Sequence, residues 1–316
     1  MALISVVCPF YNEQDGVELF FAALLPVLDA LEDDVEIVCV NDGSADDTLA
    51  RLRQHQTRDA RIRVIDLSRN FGKEAALTAA IDHARGDAII PIDADLQDPP
   101  ELIPRMVARW REGFEVVLAR RTDRGSDSAL KRLTAGWFYR VHNRIADVPI
   151  PEDVGDFRLM DRIVVEALRA LPERRRFMKG LFSWVGFRST TLDYRRAPRM
   201  AGQTKFNGWR LWNLALEGIT AFSSVPLRMW TYIGLALSLT AFAYASFIVL
   251  RTLVHGVDVP GYASLLTVTL LLGGVQLIGL GVVGEYVARI YAETKQRPVY
   301  IVRQADPETD DGPGRL

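Results

Sequence analysis

Ala88-Ile89-Ile90-Pro91-Ile92 runs without a break into Asp93-Ala94-Asp95-Leu96-Gln97-Asp98-Pro99-Pro100. A short apolar run that ends abruptly in carboxylates reads as a buried strand delivering acidic side chains to its carboxyl end. Similar runs recur at Ile4–Cys8, Val35–Val40, Ile62–Leu67 and Val116–Ala119. Between them lie Glu13–Leu31, Asp46–Gln56, Gly72–Ala84 and Pro100–Glu112, rich in Ala and Leu at helical spacing. This alternation predicts an α/β fold, a Rossmann-like, mostly parallel sheet with helices on both faces. Ligands of such sheets bind at the carboxyl ends of the strands. Four polar clusters follow strands directly: Pro9-Phe10-Tyr11-Asn12-Glu13, Asn41-Asp42-Gly43-Ser44, Arg69-Asn70-Phe71-Gly72-Lys73 and Asp93-Ala94-Asp95. Four clusters on one edge make a site.

The chain has 316 residues, 49% hydrophobic and 25% charged, enough for a full core and too apolar for a disordered protein. Its formal net charge of −2 argues against a nucleic-acid binder, but the average hides an asymmetry. Residues 1–50 carry eleven acidic side chains and no Lys or Arg, while 169–199 carry nine basic against two acidic. That division suits a cation at one part of the site and anionic groups at another. Cys8 and Cys39 both lie in apolar strands and read as reduced core residues.

The C-terminal third carries two uncharged stretches, Met229–Leu250 (22 residues) and Val259–Gly284 (26 residues). Each exceeds the ~20 residues that cross a hydrocarbon core as a helix. The connector Arg251–Asp258 is short, so they form a hairpin. Arg228 precedes the first span and Arg289, Lys295 and Arg297 follow the second, which puts the large domain and both termini on the cytoplasmic side. The N-terminus has no signal-peptide pattern. The expected division is a catalytic domain over 1–205, a juxtamembrane amphipathic segment over 206–228, the hairpin over 229–284, and a cytoplasmic juxtamembrane helix and tail over 285–316. Within it, Asn207–Leu227 and Glu285–Gln296 are read as interface helices and Gln304–Leu316 as a disordered tail. The glycines Gly273, Gly274, Gly279, Gly281 and Gly284 permit close helix packing, including a homo-oligomer.

Neither a G-x-G-x-x-G fingerprint nor a Walker A loop follows the first strand. Asp93 and Asp95 at a strand end can share a hard divalent cation that neutralises a diphosphate. A lone D-x-D is weak evidence; its place at the ligand edge strengthens it. Asp156, in Val154-Gly155-Asp156-Phe157-Arg158-Leu159, suits an N-cap for a following helix as well as it suits catalysis. Pro9 and Tyr11 suit an ordinary strand-end turn, and Lys73 a solvated lysine at a helix start.

Taken together, VVCPFYNE (6–13), VNDGSADDT (40–48), RNFGKEAALTAAIDHARGD (69–87) and DADLQDPPEL (93–102) resemble family 2 glycosyltransferases of GT-A fold. More narrowly the chain is similar to the polyisoprenyl-phosphate branch, the bactoprenol glucosyltransferases and dolichyl-phosphate mannose synthases. The resemblance implies inverting, metal-dependent transfer of one hexose from a nucleotide diphosphate sugar, UDP-glucose first, to undecaprenyl phosphate, in lipopolysaccharide or other cell-envelope glycan modification at the inner membrane. It implies that Pro9, Tyr11, Glu13, Asp42, Lys73, Asp93 and Ala94 hold the nucleotide sugar. Asp93, Asp95 and Gln97 would bind Mg²⁺ or Mn²⁺, Asp95 serving catalysis with Asp156 as the base. Arg121, Lys131, Arg132, Arg199 and Lys205 would bind the acceptor phosphate. Gly202-Gln203-Thr204-Lys205 stands where relatives commonly have Gly-Glu-Ser-Lys, which keeps the lysine and a hydroxyl. UDP-N-acetylglucosamine, UDP-galactose and GDP-mannose remain open as donors.

Three rivals are weaker. A processive polysaccharide synthase usually carries Q-x-x-R-W, but Arg109-Trp110 has Met106 at the Gln position. A sugar-nucleotide binder without catalysis would lose the aspartates, and a flippase would need more than two spans.

Overall fold

The computed structural model describes residues 1–122, 151, 153–174, 176–195, 223, 225–255 and 261–304. The calls on Lys131, Arg132, Arg199, Lys205 and residues 207–222 lie outside the described residues, as does 305–316.

The predicted alternation is present. β1 (Leu3–Phe10), α1 (Gln14–Asp29), β2 (Asp34–Asn41), α2 (Thr48–Arg58), β3 (Ile62–Leu67), α3 (Lys73–His83) and β4 (Ala88–Pro91) follow in order. A 3₁₀ turn at Pro100–Leu102, α4 (Ile103–Arg111) and β5 (Val116–Arg121) come next. Beyond these lie β6 (Val154–Asp161), α5 (Arg162–Arg169), α6 (Met178–Trp184) and β7 (Ser189–Tyr194). The long helices α7 (Val225–His255) and α8 (Tyr262–Thr294) and the short β8 (Val302–Gln304) close the series.

The strands form one sheet in the order β7-β5-β6-β4-β1-β2-β3-β8. β4, β1, β2 and β3 are mutually parallel. Alternation along the central strands feeds two cores. Ile4, Val6, Cys8 and Phe10 of β1 meet Phe20, Phe21 and Leu24 of α1 on one face. Val7, with Val38 and Val40 of β2, meets Ala76, Ala79 and Ala80 of α3 on the other. Small side chains on α3 let it lie close to the sheet. Burial on both faces is why these strands are nearly continuous apolar runs. Cys8 and Cys39 face each other across the β1–β2 ladder, both buried and free, as expected of core thiols.

One reversal in this order shapes the site. β6 runs antiparallel to both of its neighbours, β4 and β5. Its beginning therefore lies where the parallel strands end, so Val154-Gly155-Asp156 joins the carboxyl edge. β5 and β7 point the same way as β4, and their last residues, Arg121 and Tyr194, reach that edge too.

At the other end of the sheet the structure departs from the expected division. The helix read as a separate interface segment from Glu285 is the continuation of α8 to Thr294, and α7 begins at Val225, inside the segment drawn as juxtamembrane. The chain then returns to the sheet. β8 pairs antiparallel with β3, Ser68 N donates to Ile301 O (2.9 Å), and the buried Tyr300 donates its hydroxyl to Asp82 (3.0 Å). Residues 299–304 thus belong to the sheet domain, and of the stretch read as a tail Gln304 lies in β8.

α7 and α8 contain segments, Leu227–Ile248 and Leu271–Thr294, long and apolar enough to cross a membrane and not buried against protein. Helices of 31 and 33 residues extend about 46 and 50 Å at ~1.5 Å per residue. Of the glycines read as packing positions, Gly279 lies against the Trp230 ring, where an added Cβ would sit 3.4 Å away. Gly273, Gly274, Gly281 and Gly284 have open space beside them.

Gly43, after β2, has φ +61°, and a Cβ there would strike the backbone of Arg69 and Asn70 (2.6 Å). The two loops bearing Asp42 and Lys73 are pressed together at this glycine. Gly113 also has positive φ (+92°) but nothing within 4 Å of an added Cβ. Gly113→Ala should cost only the left-handed backbone penalty, about 1–2 kcal/mol. Gly43→Ala should cost more, because backbone must move as well. Thermal unfolding midpoints of the two detergent-solubilised variants check this order; equal midpoints would contradict it.

Candidate active site

The carboxyl edge gathers Pro9, Tyr11, Glu13, Asp42, Lys73, Asp93, Ala94, Asp95, Gln97, Arg121 and Asp156. Pro9 is the penultimate residue of β1, opposite Val40, and Tyr11 just beyond it is exposed. Glu13 stands at the start of α1, its backbone N–H donating to Thr48 Oγ1 (2.9 Å). Asp42, buried, accepts from Phe71 N (2.7 Å) and Gly72 N (3.0 Å). Burial pushes its carboxyl pKa up, against those two N–H groups and the Arg69 charge. Asp42 therefore ties the loop that leads into Lys73.

Lys73, the first residue of α3, reaches both Asp93 and Asp156, at 2.8 Å each. The reading of Lys73 as a lone solvated lysine is replaced by an ion triad, although its side chain keeps about half its exposure (49%). Burial alone would lower its pKa; Asp93 and Asp156 outweigh that and raise it. Burial would likewise raise the Asp156 carboxyl, but Lys73, then Lys179, hold it below the usual range. Both signs favour the charged forms. A depressed carboxylate keeps its contribution above its unfolded pKa, and a raised ammonium keeps its own below its unfolded pKa. Across about pH 5–9 Lys73 and Asp156 both stay ionised.

The N-cap reading of Asp156 is overturned. Asp156 lies within β6, and the helix that follows is capped by Asp161, whose Oδ1 accepts from Ile163 N (2.9 Å). Asp95 Oδ1 accepts from Gln97 N (3.2 Å) in a tight local turn.

Three further side chains in this cluster escaped the sequence reading. Arg158, two residues along β6 from Asp156, is buried, stacks on the Phe182 ring (4.1 Å) and donates to Gly155 O (2.7 Å). Burial lowers its pKa to about 10, partly opposed by Asp156, so it stays cationic at neutral pH. An arginine amid Phe157, Leu159 and Met160 was the available signal. Glu74 and Lys179 come from α3 and α6. Glu74 accepts from Met178 N (3.1 Å), and burial, then the Asp156 charge, raises its carboxyl to about 7.

Residues 5–169 of this chain match the model of glycosyl transferase family 2, and 225–290 match that of the GtrB C-terminal hairpin. The chain belongs to glycosyl transferase family 2. It is 56% identical over 299 residues to an uncharacterized glycosyltransferase of Synechocystis sp., covering 95% of this chain and 94% of that protein. It is 52% identical over 302 residues to the bactoprenol glucosyl transferase of Shigella phage SfII, covering 96% and 98% respectively. A prophage bactoprenol glucosyl transferase homolog of Escherichia coli K12 is also 52% identical, over 301 residues. Glucosyl-3-phosphoglycerate synthase from Mycobacterium tuberculosis superposes with a TM-score of 0.48 at 21% identity, over 69% of this chain and 76% of that one.

A family 2 glycosyltransferase handles a diphosphate, so the fit of its aspartates to a metal matters. Asp93 and Asp95 offer hard carboxylate oxygens, and Gln97 Oε1 and Asp156 Oδ1 are buried without a hydrogen-bond partner among the described residues. Such an all-oxygen set suits Mg²⁺ or Mn²⁺. No group of three His, Cys, Asp or Glu side chains converges on one point among the described residues, so the protein would supply only part of a coordination shell.

Glu74 gives this enzyme a measurable titration. Its pKa is raised on folding, so native protein binds a proton that unfolded chain, at about 4.3, has already lost. Its contribution to stability should therefore fall as pH rises from about 4.3 to about 7, and level above. Glu74→Gln should flatten that limb in melting curves taken across the window; an unchanged slope would show that Glu74 does not titrate there.

Proposed function

We propose that this protein transfers a single hexose, glucose first among candidates, from UDP-sugar to the phosphate of a polyprenyl carrier such as undecaprenyl phosphate, with inversion at the anomeric carbon. The observation that carries this reading is the placement of Asp93, Lys73 and Asp156 in one ion triad at the carboxyl edge. The bactoprenol glucosyl transferase relatives support the acceptor, and their name supports glucose.

In this reading Asp93, Asp95 and Gln97 hold Mg²⁺ or Mn²⁺. When bound, the metal supplies positive charge to the diphosphate leaving group. Pro9, Tyr11, Glu13 and Ala94 line the nucleotide side, and Asp42 orders the loop beside it. Lys73 adds a second cation near the scissile bond, where negative charge develops. The nucleophile is a phosphate monoester with a second pKa near 6, largely dianionic at neutral pH. A strong base is then unnecessary, which suits a carboxylate held low. Asp156 aligns the acceptor and takes the residual proton of its monoanion. Arg121, with Lys131, Arg132, Arg199 and Lys205, holds the acceptor phosphate and offsets repulsion between two anions. α7 and α8 anchor the domain at the inner membrane, with the catalytic domain and both termini cytoplasmic, so that a lipid-borne phosphate reaches it.

The test is transfer from a panel of radiolabelled sugar nucleotides to undecaprenyl phosphate by purified protein. Product with UDP-glucose is expected, abolished by EDTA. Asp156→Asn should lower kcat by about 10²–10⁴-fold, and Asp95→Asn by about 10²–10³-fold, with UDP-glucose still bound. Full activity of Asp95→Asn in excess EDTA would end the metal assignment, and absence of lipid-linked sugar from every donor would end the proposal. Topology has its own check: a cysteine at Thr309 should resist periplasmic labelling, and one at His255 should accept it.

A further inference from the structure

Three strands deliver side chains side by side to the site edge: β4 through the Asp93–Asp98 loop, β5 through Arg121, and β7 through Tyr194. Tyr194 is buried (7% exposed), stands opposite Arg121 in the parallel β5–β7 ladder, and meets Phe157 edge-on at 6.4 Å. Its hydroxyl donates to the buried Asp98 carboxylate and accepts from Arg121 Nε (3.3 Å). A phenol has one proton. Spent on Asp98, it leaves only lone pairs facing Arg121, and the Asp98 charge polarises the O–H so that the oxygen accepts more strongly. The main chain is fixed at the same place. Tyr194 O accepts from Thr122 N (3.0 Å) and Oγ1 (3.1 Å), and Arg121 N donates to Asp153 O (3.0 Å). With Nε committed, Arg121 Nη2 lies beside Gly155, 3.6 Å from where a Cβ would stand, next in sequence to Asp156.

We propose that Asp98 and Tyr194 are positioning residues for the transfer: they lock the Arg121 guanidinium by its Nε edge so that its Nη groups face the acceptor phosphate beside Asp156. This inference rests on the acceptor-phosphate role proposed above for Arg121. Asp98 lies on the same loop as Asp93 and Asp95, so that loop also anchors Arg121 through the Tyr194 hydroxyl.

The experiment varies undecaprenyl phosphate and UDP-glucose separately with purified full-length protein in detergent, and measures UDP binding and the unfolding midpoint alongside. Tyr194→Phe removes the hydroxyl and keeps the ring. It should raise KM for undecaprenyl phosphate about tenfold to hundredfold, the size expected for a lost hydrogen bond to a charged group. KM for UDP-glucose and UDP affinity should stay near wild type, and Asp98→Asn should act in the same direction. In an Arg121→Lys background, which has no Nε to hold, Tyr194→Phe should add nothing. Full additivity in that background would overturn the inference, as would a Tyr194→Phe variant that only melts earlier with both KM values unchanged. A raised acceptor KM in Arg121→Ala with none in Tyr194→Phe would overturn the positioning role and leave the Arg121 assignment standing. An unchanged acceptor KM in Arg121→Ala would overturn both.

Discussion

A single ammonium group holds together two carboxylates that come from distant parts of the chain. Lys73 lies 2.8 Å from Asp93 at the end of β4 and from Asp156 near the start of β6. Without a cation between them, two carboxylates on one crowded edge would repel each other. The rest of the edge is arranged to keep that ammonium in place. Asp42 binds the backbone of the two residues before it, Gly43 allows the neighbouring loop to close in, and small alanines seat α3 on the sheet. A charged residue at a helix start is thereby turned into a fixed element of a site.

Much of this was legible along the chain. The apolar runs and the polar clusters that end them identify the parallel strands and their shared edge, because buried parallel strands leave a local signature. The aspartates after β4 could be placed for the same reason. Asp156 could not. Its neighbourhood depends on β6 running against β4, and nothing within Val154–Asp161 records which strand it will lie beside, or in which direction. Locally it suits a cap as well as catalysis, and the cap loses to tertiary pairing.

Glu74, Arg158 and Tyr194 escaped for a related cause. Each sits in a pattern that looks ordinary: an acid in the first turn of a helix, an arginine in a strand, a tyrosine at a strand end. Their importance comes from burial beside opposite charge or from a partner on another strand. β8 escaped because three residues carry no periodicity, and its partner β3 lies more than two hundred residues earlier. The helix pair was plain from length and hydropathy, yet the extension of α8 past Gly284 was not, since charged residues there resemble a boundary.

β8 also has a consequence for how the protein is made. Chains emerge from the ribosome N-terminus first, and domains generally begin folding in that order. The strands β1 to β7 are complete long before β8, which leaves the tunnel only after both long helices have followed them. Until then β3 is a bare sheet edge, the kind of surface that pairs with other chains. Its covering strand is the last of the described strands to arrive. Completion of the sheet is therefore timed by synthesis of the apolar hairpin, and a nascent chain stalled between them carries an open edge.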